Sequence, residues 1–242
     1  HALYLLHGLG GSPREWLEHG HIDAQIATLV AAGRLPPVTV ILPDGEKGYW
    51  ADWADGKHPY GALVADELRA AAGPALGLPA AASRTAIAGL SMGGFGALSL
   101  GLQHPDAFGF VAALSPTDFA LAVAAQPKRA VYRRVIGESA AEARIRAINP
   151  RHLIVAGAGR GQRLLVAYGL AEQDKFRLGG ELIVDAARRA GLDLSVWPVP
   201  DGRHGYETTW TPAVMRWWLE ALAARWQVPR SGSTGTRSTG TP

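Results

Sequence analysis

The segment that most constrains this chain is Gly89-Leu90-Ser91-Met92-Gly93. An apolar run at 85–88 feeds into it and a small-residue stretch at 94–100 follows it. The pattern G-x-S-x-G between a strand and a helix predicts a sharp junction with the serine hydroxyl at its apex. Small residues two before and two after Ser91 let the backbone bend without a clash. The helix opening behind it turns N–H groups toward the place where negative charge would develop. Ser91 is therefore the candidate nucleophile. The competing reading is a glycine-rich turn that happens to hold a serine.

The rest of the chain supplies a framework for such a junction. Apolar runs at 2–6, 38–42, 85–89, 110–114, 163–168 and 194–199 read as buried strands. Helical patterns at 22–32, 61–72, 93–103, 178–190 and 212–225 alternate with them. Strands alternating with helices predict a mostly parallel central sheet covered on both faces, an α/β architecture. Residues 117–148 read as mixed helix and turn, either a cap or a peripheral insertion. Residues 1–227 are expected to form one catalytic domain. Residues 228–242 carry only Ser, Gly, Thr, Arg and Pro after Val228 and are expected to be a disordered tail or linker.

Composition excludes several chemistries. With no cysteine among 242 residues, there is no disulfide scaffold, thiolate nucleophile or Cys-ligated metal. The net charge of +3 is mild and the basic residues are scattered, so a nucleic-acid partner is not expected. No apolar run reaches the 18 residues of a membrane span. The first residues already read as a strand rather than a charged leader. A mature or truncated chain without a signal peptide is expected, and the compartment, secreted or cytoplasmic, is left open. His19 and His21 lie near Asp23, but no third ligand cluster accompanies them, so no metal is expected.

A serine hydroxyl needs a base to deprotonate it, and the base needs an acid to hold its tautomer. After an elbow the expected chain order is serine, acid, histidine. His204 leaves the run at 194–199 in a Gly-flanked loop, which makes it the candidate base. His104 sits at a helix C-terminus, and His152 enters an apolar stretch instead of leaving one. The run at 163–168 delivers Glu172 and Asp174. Asp174, followed by Lys175 and Phe176, is the preferred acid and Glu172 the alternative. Asp201 reads as a turn residue in Asp201-Gly202. The oxyanion donors are expected to be the backbone N–H groups of Met92 and of Leu9, with Gly10 as the alternative to Leu9. The aromatic loop Tyr49-Trp50-Ala51-Asp52-Trp53 follows a strand end, so Trp50 and Trp53 are candidate pocket residues; equally, they could pack the loop onto the domain.

Taken together, Tyr4-Leu5-Leu6-His7-Gly8-Leu9, Leu42-Pro43-Asp44-Gly45, Gly89-Leu90-Ser91-Met92-Gly93-Gly94, Asp174-Lys175-Phe176 and Gly202-Arg203-His204-Gly205-Tyr206 resemble the esterase D or "putative esterase" family. That family includes S-formylglutathione hydrolases, feruloyl and acetylxylan esterases and antigen 85 mycolyltransferases. The resemblance implies an α/β-hydrolase fold, no cofactor, and a triad and oxyanion amides mapping onto Ser91, Asp174, His204, Leu9 and Met92. Members carry further N-terminal strands, so a truncated or smaller sheet is expected here. The Gly169-to-Asp174 spacing is two residues longer than the family's Gly-x-x-Asp. His7 and Gly10 stand where the antigen 85 branch has an acidic residue and an arginine, which argues against that acyltransferase. The expected activity is hydrolysis of small or moderately sized carboxylic esters. Acyl transfer and S-formylglutathione thioester hydrolysis are the alternatives, and a non-catalytic binding protein on the same fold is the reading from a different class.

Overall fold

The computed structural model describes residues 1–138, 141–205 and 211–226. The domain boundary expected at 227 and 228, and the tail after it, lie outside these residues. Six strands form one sheet: β1 (Ala2–Leu6), β2 (Thr39–Ile41), β3 (Thr85–Leu90), β4 (Phe110–Leu114), β5 (Arg163–Gly169) and β6 (Asp193–Val199). Their order is β2-β1-β3-β4-β5-β6, and every neighbouring pair is parallel. Parallel neighbours cannot be joined by a hairpin, so each connection crosses over a face of the sheet.

The crossovers supply the helices. On the N-terminal side these are α1 (Glu15–Glu18), α2 (Ile22–Ala31), α3 (Tyr60–Ala62) and α4 (Leu68–Leu76), with a π turn at Leu63–Glu67 between the last two. Then come α5 (Met92–Gln103), α6 (Phe119–Ala125), α7 (Ala130–Ile136), α8 (Ala141–Ile148) and α9 (Pro150–Val155). Finally there are α10 (Asp174–Arg189) and α11 (Pro212–Trp226). The strands sort their side chains by the period of two. Leu3, Leu5, Ala86, Phe110 and Leu165 share a core with Ile22, Ile26, Trp218 and Leu222, from α2 and α11. Tyr4, Leu6, Ile87, Val111 and Leu164 share the other with Phe95, Leu98 and Ile183, from α5 and α10. This is the sheet covered on both faces that the alternation of runs predicts. Among the described residues of 117–148, α6, α7 and α8 are joined by turns, the mixed helix and turn that the sequence predicts.

One expected boundary moves, with consequences for the site. The helix expected to begin at 178 begins at Asp174, after Gln173 in extended conformation. A carboxylate in the first turn suits the positive end of the helix dipole. Asp174 is thus a helix-start residue.

The junction at Ser91 depends on close backbone approach. A Cβ on Gly93 would collide with the carbonyl oxygen of Leu6 in β1, and one on Gly89 with the carbonyl of Gly93. Backbone atoms cannot swing aside as a side chain end can. Gly93→Ala is expected to force β1 and α5 apart, costing on the order of 1–3 kcal/mol as overpacking does. Thermal unfolding should show a Tm lower by several degrees; an unchanged Tm would contradict this account of the junction.

Candidate active site

The C-terminal ends of β3, β5 and β6 deliver the three polar side chains of the site. Ser91 lies between β3 and α5 with φ 56° and ψ −112°. This left-handed backbone is rare for a residue with a side chain and stores strain. It is held by the Ser91 N–H, which donates to Leu114 O at 2.8 Å. His204 follows β6 after a turn closed by Gly202 N–H donating to Val199 O at 3.1 Å. Its Nε2 lies 2.8 Å from Ser91 Oγ. Its Nδ1 lies 3.2 Å from Glu172 Oε2. A carboxylate can only accept, so the partners place the proton on Nδ1 and leave Nε2 to accept from the serine hydroxyl.

Glu172, not Asp174, therefore occupies the acid position. The Asp174 side chain is 82% exposed and pairs with Arg177 at 3.0 Å. It faces solvent because it opens α10. The Glu172 side chain is fully buried. Its Oε1 accepts from Ser115 Oγ at 2.5 Å and from the Gly169 N–H at 2.9 Å. Burial works to raise its pKa, but the hydrogen bonds from His204, Ser115 and Gly169 outweigh it and hold the carboxyl below its ordinary value. The signal for Glu172 was in the spacing: Gly169-x-x-Glu172 has the family's Gly-x-x-acid interval, with a glutamate in place of the aspartate.

Phe176, read in the sequence only as part of a motif, lies stacked on His204, with centroids 3.7 Å apart and planes at 12°. The ring covers one face of the imidazole and limits its rotation. At the other side of the serine, Met92 is the first residue of α5, so its N–H belongs to the turn that lacks intrahelical partners. Leu9 lines the same cavity as Ser91. The loop that carries it is fixed by His7, a fully buried side chain. His7 Nε2 accepts from the Gly45 N–H at 3.0 Å, and its Nδ1 is 2.8 Å from Gly8 O.

The cavity over Ser91 has a volume of about 270 Å³. One wall is made by α6, α7 and the turn between them, including Ala122, Gln126, Arg129 and Tyr132. Of the stretch left open as cap or insertion, residues between Thr117 and Tyr132 thus form a wall of the site. Asp118 anchors that wall. Buried, it caps α6 by accepting from the Leu121 N–H at 3.0 Å, and it accepts from Arg151 Nε at 2.9 Å.

Trp50 and Trp53 are not in this cavity. Tyr49 and Trp50 have consecutive left-handed backbones, φ 57° and 51°, and their side chains part. Tyr49 lines the cavity. Trp50 is fully buried and donates from Nε1 to His7 O at 3.2 Å. Trp53 donates to Gly48 O at 3.3 Å and packs on His58 with centroids 4.2 Å apart. Both tryptophans hold the loop onto the domain. Among the described residues no group of three or more His, Cys, Asp or Glu is placed to hold a metal ion, and no helix is long and apolar enough to cross a membrane.

Comparison with known proteins follows the same geometry. The family described as "Esterase: Putative esterase" matches residues 1–174. An acetyl esterase of Caldicellulosiruptor saccharolyticus is 33% identical over 145 residues, 57% of this chain and 52% of that protein. The match therefore spans about half the length of that curated relative. A ferulic acid esterase structure superposes with a TM-score of 0.76 at 21% identity, covering 93% of this chain and 84% of that one. An S-formylglutathione hydrolase from Agrobacterium tumefaciens gives 0.74 at 23%, covering 93% and 83%. At these identities the two structures establish the α/β-hydrolase fold.

The Glu172 pairing has a pH signature. Its folded pKa is lowered from 4.5. The stabilisation it provides is fully present above that unfolded value and is lost as pH falls through the lower folded one. Glu172→Gln should reduce stability to urea at pH 7, and the gap to the parent should close as pH drops well below 4.5. A gap that widens in acid would contradict the direction of the shift.

Proposed function

We propose, for a chain that belongs to the "Putative esterase" family, that it hydrolyses small or moderately sized carboxylic esters through an acyl-enzyme on Ser91. The observation that carries this reading is the Ser91 Oγ to His204 Nε2 contact of 2.8 Å, continued to Glu172. A hydroxyl so placed can lose its proton to the imidazole as it attacks an ester carbonyl. The carbonyl oxygen gains negative charge, which the N–H groups of Met92 and Leu9 stabilise. Glu172 orients the imidazole and balances the charge of the imidazolium. His204 then returns the proton to the departing alcohol. Water repeats the sequence: His204 accepts its proton, the acyl group leaves as a carboxylic acid, and Ser91 recovers its hydrogen.

The activities named for the similar proteins, acetyl esterase and ferulic acid esterase, support ester chemistry. The cavity size supports a short substrate. The cavity of about 270 Å³ beside Ser91 has room for a compact acyl group.

Burst release of p-nitrophenol from p-nitrophenyl acetate should vanish in Ser91→Ala, and undiminished turnover there would overturn the reading. Glu172→Gln should lower kcat by a factor on the order of 10⁴, as loss of the orienting carboxylate does in serine proteases. Asp174→Asn should stay within a few-fold of the parent. The opposite ranking would return the acid role to Asp174 despite its exposure.

A further inference from the structure

We propose that the cavity over Ser91 selects esters that carry a carboxylate on the part seated against α6 and α7, with Arg129 as its partner and Lys175 as a second positive charge. The proposal deepens the esterase reading and rests on it. Both cations line the cavity with Ser91 and His204, and no carboxylate is among the described residues that line it. Several nearby arginines that do not line the cavity are paired, Arg133 with Glu138, Arg146 with Glu142, Arg151 with Asp118 and Arg177 with Glu181, and Arg134 lies over the Trp53 ring. Among the described residues Arg129 and Lys175 form no ion pair. Two positive charges without an ion pair bordering one cavity favour an anionic occupant.

Arg129 is also held in place. It is the residue before α7. Its Nη1 donates to Gln126 Oε1 and to Tyr132 Oη, both at 3.2 Å, and its guanidinium lies 5.2 Å from the centroid of the Tyr132 ring. Tyr132 is in turn fixed by a 3.2 Å hydroxyl contact with Tyr49. Both of those bonds leave from Nη1. The edge formed by Nε and Nη2 is the planar fork that a carboxylate accepts from in bidentate fashion. A guanidinium already ordered by its neighbours gives up less side-chain freedom when it binds.

Lys175 approaches from the opposite side. Its Nζ lies 4.8 Å from the centroid of the Phe176 ring, which itself stacks on His204. The ammonium is therefore tied to the wall beside the reacting atoms. The two charges come from different elements, α6–α7 and α10, and border one space. Arg129 is exposed to solvent, so its effect should be sensitive to salt.

The test uses two pairs of esters, each an acid and its neutral methyl ester. Mono-p-nitrophenyl glutarate and its methyl ester put the charge on the acyl side. 4-Acetoxybenzoate and its methyl ester put it on the alcohol side. With spontaneous hydrolysis subtracted, one pair should show kcat/KM at least tenfold higher for the anion at low salt, and that pair identifies the side that meets Arg129. The preference should fall in about 0.5 M NaCl, where the screening length is only a few ångströms. Arg129→Gln should lower the anion-to-neutral ratio about tenfold and Lys175→Gln several-fold. Arg133→Gln, at a residue that does not line the cavity, should leave the ratio unchanged. Hydrolysis of the neutral esters with ratios at or below one in both pairs would overturn this proposal and leave the esterase reading standing. A ratio that survives Arg129→Gln would also overturn it. No turnover of any of the four esters would overturn the esterase reading itself.

Discussion

The buried carboxylate of Glu172 is the interaction on which the geometry of this site depends. One oxygen accepts from the Ser115 hydroxyl and the Gly169 N–H; the other faces His204. Three separate segments thus converge on one charge: the end of β4, the end of β5 and the loop after β6. A buried charge is costly unless it is fully satisfied. Here each partner that satisfies it also belongs to a loop that must be held still. Gly169 permits the convergence, because a Cβ there would meet the carbonyl of Gly202. The Leu170 and Ala171 N–H groups complete the lacing, donating to Val199 O at 2.9 Å and Gly202 O at 3.0 Å.

The same economy recurs at the strand ends. Ser91 after β3 and Ser115 after β4 both take left-handed backbone, φ 56° and 46°. Each extends the sheet by one bond before turning away, Ser91 N–H to Leu114 O and Ser115 N–H to Ala167 O. The hydroxyl of one faces His204 and the hydroxyl of the other faces Glu172. Regular parallel pairing through β1, β3, β4 and β5 is what over-determines these strained residues. The sheet thereby converts backbone register into side-chain position at its C-terminal edge.

Much of this was legible in the residues. The strands, the elbow and the placement of His204 follow from apolar runs, glycine spacing and chain order, all of them local signals. Asp174 misled because its neighbours Lys175 and Phe176 fit the pattern, while what separates it from Glu172 is a helix start and burial. Those are properties of the packed loop: after Gln173 the helix begins, and the Asp174 carboxylate in its first turn faces solvent and pairs with Arg177. Trp50 and Trp53 read equally well as pocket or as packing residues. Loop position says that aromatics are near a site, but the pair of left-handed residues at Tyr49 and Trp50 decides which ring faces the cavity. The wall formed by α6 and α7 was illegible because its role comes from distant contacts, such as Asp118 with Arg151.

The central claim is that Ser91, His204 and Glu172 act as one unit. The most direct measurement is covalent labelling by a fluorophosphonate, followed by intact mass and peptide mapping. The account predicts a single adduct on the peptide that contains Ser91, formed rapidly in the parent and slowed by orders of magnitude in His204→Ala and Glu172→Gln. Labelling at another residue, or labelling of Ser91 at the parent rate in both variants, would contradict it.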